Sequence, residues 1–231
     1  MSKEIEGMVK SCFNCAKHSA MTREPMIPIE KPTRPWEKIA TDLFMYENKT
    51  YMVVIDCFSR FIECKLLPDA TTKSVTTFLS NLFSRYGYAD SIFSDNGPCY
   101  ASNLFAQFCK QFGFDIKHVT SSPLYPQSNG QSEIGVKITK QLLSRNNGDL
   151  NKCLLIYNST PLRNGYSPAQ MFLGRNIRTS LPVHPQMLKP RWPNMSNVVK
   201  SHVKSQNRQK RTMIDDLEQG NYPHLLQESI F

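Results

Sequence analysis

The chain has 231 residues, 40% hydrophobic and 20% charged, and carries a net charge of +9. That length holds one good-sized domain plus extensions, and the composition is globular overall. The positive balance suits a polyanionic partner. No stretch reaches the length of a membrane span, and Met1–Glu6 lacks the apolar run of a signal peptide. Seven cysteines is an odd number, and Cys57, Cys64, Cys109 and Cys153 stand among apolar neighbours. They read as small hydrophobes in a reduced protein, cytoplasmic or nuclear and not secreted.

In chain order, Cys12-Phe13-Asn14-Cys15 comes first, and a Cys-x-x-Cys pair is half of a tetrahedral zinc site. Residues 21–35 are rich in proline and charge and read as a linker. Residues 38–45, 51–58 and 61–67 follow as three strands, with Phe61, Glu63 and Lys65 alternating against Ile62, Cys64 and Leu66. Residues 71–86 place Val75, Phe78, Leu79, Leu82 and Phe83 at helical spacing. Ile92-Phe93 is a short strand that stops at Asp95, and Ser102 caps a helix carrying Leu104, Phe105, Phe108, Cys109 and Phe112. Residues 114–119 form a fifth strand. A Ser/Pro/Asn/Gly-rich loop runs to Gly130, and a helix begins near Gln131. Residues 151–158 and 167–174 read as helices covering one face of the sheet. Between Lys189 and Arg211 there are seven Lys or Arg and no acid, with Trp192 the only aromatic. That segment is either a phosphate-neutralising DNA contact or a solvated charged tail or helix.

Three acids stand out in this order. Asp42 interrupts an apolar strand, where an unpaired carboxylate is costly and a metal ion is a natural partner. Asp95, in Asp95-Asn96-Gly97, is by itself good turn chemistry. Glu133 by itself suits the first turn of a helix. Together they offer the hard oxygen ligands that magnesium prefers, and two such ions activate an attacking oxygen and stabilise a leaving one in phosphodiester chemistry. Lys137 and Lys140 follow Glu133 by four and seven residues, on one helix face with it. That face is either a surface for a phosphate backbone or a solvated Glu–Lys pair.

The surrounding motifs add a family resemblance. Ser94-Asp95-Asn96-Gly97-Pro98 and Thr120-Ser121-Ser122-Pro123-Leu124-Tyr125-Pro126-Gln127-Ser128-Asn129-Gly130-Gln131-Ser132-Glu133 resemble the catalytic core of retroviral-type integrases, in particular those of gypsy-type LTR retrotransposons. Arg34-Pro35-Trp36-Glu37-Lys38, Phe58-Ser59-Arg60-Phe61, Tyr157-Asn158-Ser159-Thr160-Pro161 and Ser167-Pro168-Ala169-Gln170 extend it over roughly residues 8–190. The resemblance implies an α/β, ribonuclease-H-like fold with a five-stranded mixed sheet flanked by helices. It implies Asp42, Asp95 and Glu133 as catalytic metal ligands for two Mg²⁺ or Mn²⁺ ions. It implies Asn129, Lys137 and Lys140 as DNA contacts, with the 121–130 loop closing over DNA. It places Asp42 on the first strand and Asp95 at the end of the neighbouring fourth. Fifty-two residues separate Asp42 from Asp95, close to the family's interval. Thirty-seven separate Asp95 from Glu133, slightly more than usual, with the surplus assigned to residues 113–119. Ile134, Gly135 and Cys99 differ from the family pattern.

On this reading residues 1–33 are a truncated zinc-domain remnant and linker, 34–180 the catalytic core, and 181–231 a basic C-terminal tail. The family's two upstream histidines have no counterpart before Cys12, so Cys12 and Cys15 are a remnant and zinc is not expected here. The expected function is metal-dependent 3′-end processing and strand transfer by a homo-oligomer on element and target DNA. The alternatives are an inactive or host-retained fragment that only binds DNA, and a ribonuclease H or other two-metal nuclease on the same fold.

Overall fold

The computed structural model describes residues 31–111, 115–120 and 130–201, together with 203, 204 and 207. Strand β1 (Lys38–Tyr46) turns back into β2 (Lys49–Asp56) through two residues. Glu47 and Asn48 both take positive φ, 49° and 58°. Two such residues make the turn whose twist matches a hairpin's strands. The register that follows sets Tyr46 opposite Lys49, Asp42 opposite Val53 and Ile39 opposite Asp56. The turn into β3 (Ile62–Leu66) is organised by a buried carboxylate. Asp56 accepts hydrogen bonds from the backbone N–H of Trp36 at 2.9 Å and of Ser59 at 2.8 Å, and from the Ser59 hydroxyl at 2.5 Å. Burial nonetheless pushes its pKa up.

Helix α1 (Thr72–Tyr86) is capped by Thr71, whose hydroxyl accepts from the Ser74 N–H. Strand β4 (Ser91–Ser94) returns beside β1 and parallel to it. Ser102 caps α2 (Asn103–Lys110), accepting from the Phe105 N–H. Strand β5 (Lys117–Thr120) pairs parallel with β4. Helices α3 (Gly130–Arg145), α4 (Leu150–Ser159) and α5 (Pro168–Leu173) follow. Ser167 and Gln170 form a reciprocal capping box at the start of α5. The sheet order is β3-β2-β1-β4-β5, antiparallel across its first three strands and parallel across the rest. This is the mixed sheet of the ribonuclease-H-like fold.

Strand alternation divides the core. Ile39, Met52 and Val54 point to one face, where Leu79, Leu82, Phe105 and Phe108 of α1 and α2 cover them. Ala40, Phe44, Val53 and Ile55 point to the other, beneath Leu143 of α3 and Cys153 of α4. The last two helices do not share a face as the sequence suggested. Helix α4 joins the second layer, whereas Ala169 and Phe172 of α5 join the first, Phe172 stacking on Phe61 at 4.6 Å. Beyond α5, residues 195–201 are helical, and Val198 is fully buried against Phe58 and Met171. The five described cysteines are free, and burial pushes the thiols of Cys57 and Cys64 up to about 12. Among the described residues no helix is long and apolar enough to cross a membrane.

Candidate active site

Two parallel strands position the first two acids. Their pairing runs from Lys38 opposite Ser91 to Ala40 opposite Phe93. Continuing that register by two residues sets Asp42 beside Asp95, the first residue after β4. Asp42 shares a strand face with Ala40 and Phe44, so its carboxylate lies on the side covered by α3. Helix α3 packs on that side through Ser132, Gly135, Thr139 and Leu143, a stripe at helical spacing with small residues at its start. A Cβ on Gly135 would lie 3.4 Å from Val53 Cγ2, so the helix approaches β2 closely. That packing leaves Glu133, Lys137 and Lys140 exposed on the helix.

Asp42 feels the charge of both other acids. The Asp42 carboxyl is pushed up to about 6, first by burial, then by the charge of Asp95, with Glu133 adding to it. The Leu43 backbone N–H and the Lys140 ammonium act in the opposite direction. Lys140 Nζ stands 5.7 Å from the centre of the Phe44 ring, a cation–π contact that holds the ammonium on the acid-bearing face. Among the described residues, however, no group of three or more His, Cys, Asp or Glu side chains forms a ready metal cage.

Asp95 is held from several sides. The Gly97 N–H donates to its Oδ1 at 3.1 Å. A Cβ on Gly97 would stand 3.1 and 3.3 Å from the two carboxylate oxygens, so glycine keeps that carboxylate uncrowded. The buried Ser94 hydroxyl lies 2.7 Å from the Asp95 carbonyl oxygen and 2.9 Å from His118 Nε2. The carbonyl can only accept, so the serine donates to it and the imidazole Nε2–H donates to the serine. Burial pulls the His118 pKa down, consistent with a neutral ring. Below the acids, Thr41 Oγ1 and the buried Tyr100 hydroxyl are 3.0 Å apart.

Sequence reasoning missed Phe44, Ser94, Tyr100 and His118. Apart from the place of Ser94 beside Asp95, nothing in their local sequence distinguishes them from core residues. The expected contact Asn129, its 121–129 loop, Cys12 and Cys15 lie outside the described residues, as does part of the 113–119 surplus.

Comparison with known proteins bears on this geometry. Residues 32–126 match the integrase core domain family, a span that includes Asp42 and Asp95 and ends before Glu133. An uncharacterized Caenorhabditis elegans protein is 37% identical over 192 residues, 78% of this chain and 15% of that protein. The Gag-Pro-Pol polyprotein of sheep pulmonary adenomatosis virus is 30% identical over 190 residues, 76% of this chain and 11% of the polyprotein. The chain thus spans a small fraction of these relatives' length. A simian T-cell lymphotropic virus intasome structure matches in fold with a TM-score of 0.65 at 24% identity, over 79% of this chain and 70% of that one. Residues 32–126 thus form an integrase core domain, on the fold that retroviral integrases share.

Proposed function

We propose that the chain is a polynucleotidyl transferase of a retroelement, cutting near the 3′ ends of element DNA and joining them to target DNA. The observation that carries this is the pairing of β1 with β4, which sets Asp42 beside Asp95 on the sheet face covered by α3, the helix that bears Glu133. Concentrated, under-compensated negative charge of this kind suits a hard divalent cation, Mg²⁺ or Mn²⁺. Asp42 and Asp95 would hold one ion, and Asp42 with Glu133 a second. Such ions supply Lewis acidity and ease deprotonation of the attacking oxygen.

The chain's own contribution is placement. Two paired strands fix Asp42 and Asp95, and the Gly97 N–H orients the second carboxylate. Helix α3 presents Glu133, Lys137 and Lys140 along one exposed face, with Phe44 steadying Lys140 for a phosphate. Asn129, four residues before Glu133 in sequence, is taken as a further DNA contact. Water and then the freed 3′-hydroxyl attack phosphorus in line, with no covalent protein intermediate. The core work is assigned to residues 34–180, in a homo-oligomer acting in the nucleus or cytoplasm. The matching intasome chain is the basis for expecting an oligomer on DNA.

A second reading, a DNA-binding fragment without catalysis, is favoured by the lack of a ready cage among the described residues. A disintegration assay on branched DNA with Mg²⁺ or Mn²⁺ separates the two. The expected result is resolution of the branch by the parent chain and none by Glu133→Gln. No resolution by either protein, with DNA still bound, overturns the transferase reading in favour of the second.

A further inference from the structure

Asp42 and Asp95 each follow a buried hydroxyl residue. Thr41 precedes Asp42 on β1, Ser94 precedes Asp95 at the end of β4, and neither is more than 1% exposed. Continuing by one residue the register that pairs Ala40 with Phe93 sets Thr41 beside Ser94, one step before the acids. Strand alternation turns both hydroxyls away from the acids, to the face of Ile39 and Ile92 that α1 and α2 cover. There each meets one ring-bearing side chain. The Tyr100 hydroxyl lies 3.0 Å from Thr41 Oγ1. His118 Nε2, reaching across from β5, lies 2.9 Å from Ser94 Oγ. Phe105, fully buried, ties the two rings together: its ring centre is 5.3 Å from that of Tyr100 and 4.8 Å from that of His118, edge to face in both cases.

Apolar side chains would fill the same space at lower cost, since buried hydroxyls and an imidazole are tolerated only when bonded. What these bonds add is fixed direction. We propose that Tyr100 and His118 are positioning residues which, through Thr41 and Ser94, set the spacing of the Asp42 and Asp95 carboxylates for a small divalent cation. Tyr100 holds β1 by the residue before Asp42. His118 holds Ser94, whose hydroxyl donates to the Asp95 carbonyl at 2.7 Å, so the backbone that carries Asp95 beyond β4 is anchored from β5. Phe105 makes the two holds one unit, and the acids keep their separation. Mg²⁺ demands near-ideal octahedral geometry at short distances, whereas Ca²⁺ accepts more oxygens at longer and more variable ones. The layer beneath the acids therefore matters more for Mg²⁺ than for Ca²⁺. This rests on the metal-pair reading of Asp42 and Asp95 and adds to it the groups that space them.

The test titrates the full chain with Mg²⁺ alone and with Ca²⁺ alone, and reads the rise in melting temperature, which gives each ion's affinity by linkage. Tyr100→Phe and His118→Phe keep a ring against Phe105 and remove the hydrogen bond. Each is expected to weaken Mg²⁺ binding about tenfold, the low end of what losing a ligand's supporting bond costs in metal affinity. The loss for Ca²⁺ is expected to be smaller. His118→Gln returns an amide N–H near the position of Nε2 and is expected to recover most of the Mg²⁺ affinity. If His118→Phe does not fold, Tyr100→Phe, which adds no atoms, carries the same test. Unchanged Mg²⁺ affinity in the variants, even with a lower melting temperature in metal-free buffer, overturns the positioning role and leaves the metal pair standing. Equal losses for the two ions also overturn it. A parent chain that responds to neither ion overturns the metal pair, and the positioning role with it.

Discussion

Asp42 sets stability against chemistry within one side chain. Its folded-state pKa of about 6 lies above its ordinary value of 3.8 because burial and two neighbouring acids disfavour the charged form. The folded protein therefore holds that proton more tightly than the unfolded chain does. The resulting penalty is absent below the unfolded value, grows as pH rises from 3.8 toward about 6, and is complete above it. Asp42→Asn removes the penalty. In metal-free buffer at neutral pH the variant is expected to melt higher by about 2–4 °C, corresponding to about 1 kcal/mol after allowance for solvent screening. Near pH 4 the gain should vanish. Added Mg²⁺ or Mn²⁺ should raise the parent's melting temperature and leave the variant's nearly unchanged. A variant that melts lower at neutral pH, or responds to metal as the parent does, would show that Asp42 is not the strained ligand described. A pattern reader finds this residue because a carboxylate in an apolar strand needs a reason. His118 and Ser94 give no such signal, since their link to Asp95 exists only after β4 and β5 have paired.

Helix α3 carries the third acid, and its placement depends on how closely it meets the sheet. Gly135 lowers helix propensity by about 1 kcal/mol relative to alanine, yet a Cβ there would meet Val53 only at ordinary contact distance. Gly135→Ala is therefore expected to be neutral or stabilising by up to about 1 kcal/mol, with branched-DNA resolution retained. Gly135→Leu should instead lift the helix off β2, carry Glu133 away from Asp42 and abolish resolution. Equal activity in the two variants would mean the helix is not positioned by this contact. The elements themselves were legible wherever period and cap agreed: α1 behind Thr71, α2 behind Ser102 and α5 behind Ser167 start where the sequence places them. The faces were not legible. Helix α5 has six residues, too few for a 3.6-residue stripe to show direction, and the chain between α4 and α5 decides which layer each joins. The fifth strand is also shorter than its apolar run suggests, because Ile116 is spent in the core before pairing begins at Lys117.

At the scale of the whole molecule, one close approach to the core helps to set the path of residues 191–198. Gly174 ends α5 in the left-handed region at φ 69°. Its carbonyl accepts from the Arg191 N–H at 2.7 Å, and the Trp192 indole lies directly over it. A Cβ at this position would come within 2.5 Å of the ring, which must then move. An alanine also carries a penalty of about 1–2 kcal/mol in that backbone conformation. Both effects act against Gly174→Ala, and they act on the point where residues 191–198 leave the core to reach the Val198 anchor. The variant is expected to lose about 1–3 kcal/mol, a fall of roughly 3–10 °C for a chain of this size. Trp192 is 57% exposed and Trp36 only 5%, so acrylamide quenching of tryptophan emission reports mainly on Trp192. Quenching should increase in the variant and the salt slope of DNA binding should fall, because the cations beyond Val198 lose their fixed position. Lost stability with unchanged quenching and slope would confine Gly174 to ending a helix and separate the basic segment's placement from this contact.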